Sequence, residues 1–493
     1  MSAPDASRAS SGWPALFGRS KIATSLALSG GAALHAVNLY IAITVLPSVV
    51  REIGGLDLYA WNTTVFVLAS LIGAAASSAV LAHAGARAGY ALAAVVFIAG
   101  AMACAGASDM VVMLVGRFLQ GIGGGVLLAL AYAMVRRVYA EPLWPRALAL
   151  LSAMWGLATL VGPAVGGHFA EHGLWRASFL AVIPVAVVVG LTAMAVLPGR
   201  ERERPGAETP PAAQLAILAL AVLAASWGGI GRSTGWTAAG MATALILAGA
   251  FVRLERTASQ KLLPADAYDG SKALGGLYAL SGLLAATVTS AEIFLPLFLQ
   301  ELHGLSPVEA GYIAAVMSAG WTAAAIFSSG LSADRRSVAV RAGPVLSLTA
   351  MVVLVVVMPW RGGEDGWTPL VLICGALALG GAGVGLAYPL LSTLVLRAAS
   401  AAEADKAAAS IMTVQLCATA FGAAFAGLSV NLAGTMTHEA GASMANSARW
   451  LFITLAAAPM LCCFLMTGAS FRQVVRRSGW EVGRSLMRRR KKS

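Results

Sequence analysis

The 493-residue chain is 58% hydrophobic and 11% charged, with a mean hydropathy of +0.78 and a formal net charge of +12. A soluble protein carries about a quarter charged residues, so a water-soluble enzyme or a string of soluble domains is excluded. No aromatic residue interleaves the terminal basic run RRRKKS, which argues against a nucleic-acid partner.

Residues 1–21 lack the short apolar core and small-residue cleavage site of a signal peptide, so the first apolar run is expected to stay in the chain. Fourteen runs are long enough to cross a hydrocarbon core of about 30 Å. They fall at 22–47, 60–82, 89–107, 112–135, 146–167, 177–197, 213–230, 236–252, 273–299, 308–332, 339–359, 367–396, 407–433 and 450–469. Lysine and arginine set their orientation. With the N-terminus inside, 28 of the 34 basic residues fall in inward segments, five in outward loops, and Arg117 lies within a span. Both termini are therefore expected on the cytoplasmic side of a cell membrane, the bacterial cytoplasmic membrane being the natural host. The net charge is a topology signal.

The division follows: a cytoplasmic segment at 1–21, six spans at 22–199, inner loops with an inserted helix pair at 200–272, six spans at 273–470, and a basic tail at 471–493. In the tail, Phe471, Val474, Val475, Val482 and Leu486 recur at near-helical spacing, as in an amphipathic helix lying on anionic inner-leaflet lipid. The five cysteines sit in spans without Cys-x-x-Cys spacing, so neither a disulfide framework nor a metal site is implied.

The two sets of six repeat each other. Leu46-Pro47 matches Leu295-Pro296; Gly116, Gly121 and Gly124 match Gly375, Gly380 and Gly383; Ala158-Thr159 and Gly162 match Ala418-Thr419 and Gly422. By this alignment Ala376 and Leu379 stand where the first half has Arg117 and Gln120, so the polar pair serves something other than packing. In the fifth run, GLATLVGPAVGG (Gly156–Gly167) sets Gly162, Pro163, Gly166 and Gly167 in apolar sequence, where glycines let helices approach closely and proline bends the helix.

An arginine at membrane depth costs about 2.5–3.5 kcal/mol on insertion scales, so Arg117 should face the bundle interior; the alternative is a side chain reaching the outer headgroups. Glu292 is the sole carboxylate in the interior of a predicted span. Facing a cavity, it is balanced between desolvation and a nearby cation such as Arg117, and can load and release a proton. The alternative is a solvated residue near the outer interface. His35 titrates near neutral pH and is either a second proton site or structural. No phosphate-binding Gly-x-x-x-x-Gly-Lys is present, so no cofactor is expected and energy must come from an ion gradient.

LVGRFLQGIGGG (Leu114–Gly125), GPAVGG (Gly162–Gly167), GLWRASF (Gly173–Phe179), LFLQELHGLSPVEAGY (Leu297–Tyr312) and GLSADRR (Gly330–Arg336) together resemble the major facilitator superfamily, in its fourteen-span drug:proton antiporter branch. The resemblance implies an all-α membrane fold of two six-helix bundles related by a pseudo-two-fold axis, with an inserted helix pair. It implies proton coupling through Arg117, assigns GPAVGG as the antiporter motif, and makes Gly330, Asp334, Arg335 and Arg336 the inner-loop motif. Spans that line the central cavity in that family carry Tyr40, Trp155, Phe294, Tyr388 and Gln415 here. Two departures stand out. Asn38 replaces the acid usually found nine positions before the first-span proline, and is either an interhelical hydrogen bond or a substrate ligand. Ala82 replaces the acid of the first inner loop, which keeps Gly85 and Arg87. The reading is an exporter of hydrophobic or amphiphilic small molecules in exchange for protons, with Glu292 as carrier and Arg117 and Gln120 as its tuning partners. A proton-coupled importer, a lipid or siderophore carrier of the same fold, and a non-transporting membrane sensor are the alternatives.

Overall fold

The computed structural model describes residues 13–18, 21–199, 211–230, 234–258, 260–268, 273–360, 367–400, 403–434 and 440–477. Among them every regular element is helical. Twelve helices are long and apolar enough to cross a membrane, and Ala212–Gly228 adds a shorter apolar one of 17 residues. One of the twelve includes Tyr59–Ala105, which is two spans joined end to end. At Gly85 its φ is +77°, a left-handed conformation that favours glycine, and the helix breaks there. Counted this way, the helices fit the fourteen expected spans.

Helices outrun the apolar runs because a membrane helix continues until a stop signal ends it. Ile22–Ile53 extends six residues past the first run and stops at Gly54, whose φ is +73°. Leu274–His303 ends on left-handed Gly304. The next helix, Pro307–Ser329, then starts with a capping box: the Ser306 hydroxyl accepts from the Glu309 backbone amide, and the Glu309 side chain accepts from the Ser306 amide. The LHGLSPVEAGY segment is thus a helix stop followed by a helix start. GLWRASF has an equally structural task. Trp175 Nε1 donates to Glu52 at 2.5 Å, Arg176 pairs with the same carboxylate, and Arg176 Nη2 donates to the Ala107 carbonyl.

The chain divides into two compact units, residues 1–56 with 65–212, and 57–64 with 213–493. The inserted pair, Ala212–Gly228 and Thr234–Thr257, falls almost wholly in the second. In the first unit Ile22–Ile53 packs on Met110–Val138, Trp144–Glu171 and Val182–Val196. In the second, Leu274–His303 packs on Trp367–Ala398, Ala404–Gly434 and Ala440–Leu465, the same scheme of first span on fourth, fifth and sixth.

Close approaches fix the register of this repeat. A Cβ on Gly121 or Gly125 would strike the carbonyl oxygens of Phe66 and Ser70, and one on Gly381 or Gly385 those of Met317 and Trp321. The fourth spans therefore correspond at an offset of 260, one more than the glycine-by-glycine alignment of the sequence suggests. Arg117 and Gln120 correspond to Leu377 and Gly380, still apolar, so the polar pair remains particular to the first unit.

Two further expectations change. Glu255, placed by the sequence in an inner loop, lies inside Thr234–Thr257 and is fully buried. It accepts from the Leu262 amide through both oxygens at 3.0 Å and from the Tyr268 hydroxyl at 2.8 Å, so Glu292 is not the sole buried carboxylate. Desolvation and the Glu255 carboxylate both push the Tyr268 hydroxyl pKa upward. The basic tail begins as the helix Ala469–Arg477, but Phe471 and Val475 are buried and that helix contacts Trp367–Ala398. These two apolar residues therefore pack on protein, which removes them from water without lipid. Val482, Leu486 and the RRRKKS run, like the RERERPGAETP loop (Arg200–Pro210), lie outside the described residues.

In the fifth span, a Cβ on Gly162 would overlap Tyr40, while Gly156 has nothing within 4 Å. Gly162→Leu should cost about 1–3 kcal/mol through overpacking and lower the thermal midpoint in detergent, whereas Gly156→Ala should leave it within error. Equal behaviour of the two variants would refute this close contact.

Candidate functional site

In the first unit, Asp109 caps Met110–Val138, its side chain accepting from the Val112 amide at 3.0 Å. Hydrogen bonds from backbone amides and Ser108 outweigh desolvation and hold its carboxyl below the usual range. Two turns further along, Arg117 is 0% exposed, which removes the alternative of a side chain reaching the headgroups.

Its contacts dictate those of its neighbours. A guanidinium can only donate, so Gln120 must present its carbonyl oxygen, which accepts from Arg117 Nη1 at 2.8 Å. The Gln120 amide nitrogen then donates to Asn38 Oδ1 at 3.0 Å. Cys104 Sγ approaches Gln120 Oε1 at 3.5 Å, and Phe66 lies under the guanidinium at 4.0 Å from its ring centre. His35 stacks on the same Phe66 at 5.2 Å and meets Trp155 edge-on at 5.8 Å. His35, Asn38, Arg117 and Gln120 are all essentially fully buried. Of the two readings of Asn38, the interhelical hydrogen bond is the observed one. Arg117 forms no ion pair among the described residues, and its Nε and Nη2 have no hydrogen-bond partner there. Phe66 and Cys104 are the members that sequence reasoning missed, since an apolar span offers many such residues and nothing marks these two.

In the second unit, Glu292 is 5% exposed on Leu274–His303 and accepts a hydrogen bond from the Ser318 hydroxyl. Its carboxylate therefore does not face the outer surface of the bundle. Phe294 is stacked between Tyr59 at 5.0 Å and Phe298 at 6.0 Å, with 1% exposure, which is a packing position. Tyr388 donates to Gln415 Oε1 at 3.0 Å and meets Trp321 at 5.5 Å, all three half-buried. Trp321 is a further member that the sequence left unmarked. In the first unit Tyr40 is half-buried against Gly162. Arg117 and Glu292 lie in different units, and the partners named for each lie in its own.

At the inner-loop motif, Gly330 follows Pro307–Ser329, and Asp334 sits in the first turn of Ala333–Val357. Asp334 and Arg335 are exposed, while Arg336 Nε donates back to the Leu331 carbonyl at 2.9 Å. In the first unit, Arg87 donates through Nε and Nη2 to the Leu197 carbonyl at 3.2 and 3.1 Å, capping the C-terminus of Val182–Val196. Among the described residues no group of three His, Cys, Asp or Glu could hold a metal ion.

Gln120→Leu removes the acceptor of a buried cation and should cost about 1–3 kcal/mol or more. Gln120→Glu, which keeps an acceptor facing Arg117, should retain most of the stability. Thermal unfolding of the two purified variants compares them; equal midpoints would mean Gln120 is not what satisfies Arg117.

A family model described as Major Facilitator Superfamily matches residues 28–423. A probable multidrug-efflux transporter of Mycobacterium tuberculosis (strain ATCC 25618 / H37Rv) is 36% identical over 466 residues, covering 92% of this chain and 96% of its own. The multidrug transporter protein MdtP of Bacillus subtilis (strain 168) is 27% identical over 55% of this chain and 50% of its own. Among solved structures, a bacterial homolog of the human lysosomal transporter Spinster, inward-facing and unoccupied, matches with a TM-score of 0.61 at 15% identity. That match covers 92% of this chain and 96% of the homolog, and at this identity it shows the fold alone. With the family model spanning most of the sequence and a relative similar almost end to end, the chain belongs to the major facilitator superfamily, whose members are transporters and not enzymes.

Proposed function

We propose that this multi-pass secondary transporter exports hydrophobic or amphiphilic small molecules in exchange for protons, by alternating access. The observation that carries the reading is Glu292: a carboxyl group withdrawn from the outer surface, at 5% exposure, and held by a serine hydroxyl. A group so placed has two stable forms, protonated or ionised, and which one prevails depends on whether its chamber is open to acid or to alkaline water. Glu292 is the proton carrier. Arg117, Gln120 and His35 are the first-unit groups that tune coupling, through the field of a buried cation.

Several supports are independent of that residue. One relative named as a probable multidrug-efflux transporter and another named as a multidrug transporter support outward movement of varied compounds. The half-buried aromatic and amide groups Tyr40, Trp155, Tyr388 and Gln415 suit cargo with apolar faces and few charges. Gly162, Pro163, Gly166 and Gly167 form the tight barrier span of an antiporter, and Gly330, Asp334, Arg335 and Arg336 act at the inner face. The excess of basic residues in the inward loops supports cytoplasmic termini in a bacterial cell membrane.

Glu292→Gln tests the assignment in proteoliposomes with an imposed pH gradient and ethidium or acriflavine as apolar cationic probes. The variant should still exchange probe across the membrane down its gradient, while gradient-driven accumulation falls to the level of protein-free vesicles. Uphill accumulation equal to that of the unaltered protein would remove Glu292 from the coupling mechanism.

A further inference from the structure

The second unit contains a cavity of about 340 Å³ to which the transport mechanism gives no task. Its walls come from four places. The inserted pair gives Leu218, Phe251 and Val252, and the inner loop gives Leu262, Ala267 and Tyr268. Leu274–His303 gives Tyr278 and Ala279, and Ala404–Gly434 gives Thr413, Val414 and Cys417. Nearly all of this lining is carbon.

The cavity is built, and is not a packing defect. Leu262 is held at both ends of its peptide: its amide donates to buried Glu255, and its carbonyl accepts from the Ser410 hydroxyl at 3.1 Å. Tyr268 is fastened to the same Glu255, and Tyr278 donates to the Ala407 carbonyl at 3.1 Å. A buried carboxylate is costly unless fully hydrogen-bonded, and this one is spent on keeping the loop wall in place. Two lining residues, Val252 of the inserted pair at 38% exposure and Ala279, are exposed, so the cavity is reachable from the surface of the unit. Basic residues neighbour the lining. Arg253 follows Val252, Arg256 Nη2 lies 3.5 Å from the carbonyl of the lining residue Tyr268, and Lys261 precedes Leu262. Arg253 and Arg256 are exposed.

We propose that this cavity takes one acyl chain of an anionic phospholipid of the inner leaflet, with the phosphate headgroup on Arg256 and its basic neighbours. The inserted helix pair is then a lipid-binding element attached to the second unit. The chemistry follows from the two halves of the site: a carbon-lined slot with exposed Val252 and Ala279 in its walls suits an alkyl chain better than water, and the basic residues beside it, on the expected inward side, attract anionic headgroups. The inference rests on the inward orientation of the 253–268 loop and not on proton exchange or on Glu292.

Native mass spectrometry of the full chain released from detergent, with phosphatidylglycerol and phosphatidylcholine of matched acyl chains, tests it. The unaltered protein should retain phosphatidylglycerol about tenfold better, the discrimination that one or two surface cations give. Arg256→Gln with Lys261→Gln should bring the two lipids level. Ala279→Phe, at an exposed lining position, should fill the slot and displace both; Cys417→Leu is the second variant should the first not fold. Equal retention of the two lipids by the unaltered protein overturns the headgroup assignment. Lipid retention unchanged in Ala279→Phe or Cys417→Leu overturns the cavity as its location. Displacement of phosphatidylglycerol by ethidium, together with loss of ethidium transport in the cavity variants, would make the slot a cargo site and also overturn the proposal.

Discussion

Inside a bilayer a polar side chain has no water to turn to, so each one must find its partners within the protein. Arg117 meets that constraint in part, through a directed chain, while its Nε and Nη2 have no hydrogen-bond partner among the described residues. The cation donates to Gln120, Gln120 donates to Asn38, and the flat face of the guanidinium rests on Phe66. Because arginine cannot accept, the orientation of both amides follows from it, and three helices are tied by a single cation: Ile22–Ile53, Tyr59–Ala105 and Met110–Val138. Removing Gln120 would leave Arg117 without its one hydrogen-bond acceptor among the described residues. The replacement of the family's usual first-span acid by Asn38 is absorbed in the same way. The amide supplies an acceptor where a carboxylate would have stood, but brings no counter-charge.

The second unit solves the same constraint differently. It has leucine and glycine where the first has arginine and glutamine, and its buried ionisable groups are carboxylates: Glu292 on the first of its six bundle spans, which accepts from a serine of the next, and Glu255 in the inserted pair, which accepts from a loop amide and a tyrosine hydroxyl. Two units built on one helix-packing scheme thus carry opposite chemistry. One keeps a cation against an aromatic ring; the other keeps carboxylates under hydroxyl and amide donors.

Much of this was legible in the sequence, for physical reasons. Span number and order follow from hydropathy, and Arg117 and Glu292 announce themselves because charge in an apolar run is costly. Glycines advertised close helix contacts, although the repeat was read one residue out of register in the fourth span. Counting matching glycines cannot tell a helix–helix contact at Gly121 and Gly381 from a coincidence at Gly380. Other features left no trace. Phe66, Cys104, Trp321 and Ser318 are ordinary residues for a membrane helix until folding brings them beside a charge. Glu255 looked like one more loop carboxylate, because nothing local shows that its helix runs on and that a loop amide and a tyrosine hydroxyl return to meet it. GLWRASF and LSPVEAGY, read as family markers, proved to be a corner ion pair and a helix start.

Outward exchange against protons is tested most directly by trapping a pH-sensitive dye inside proteoliposomes of the unaltered protein and adding ethidium to one side without an imposed gradient. Antiport predicts proton movement opposite to the probe, started by its addition and blocked when the probe is absent. Proton movement in the same direction, or transport of the probe with no pH change at all, would contradict it.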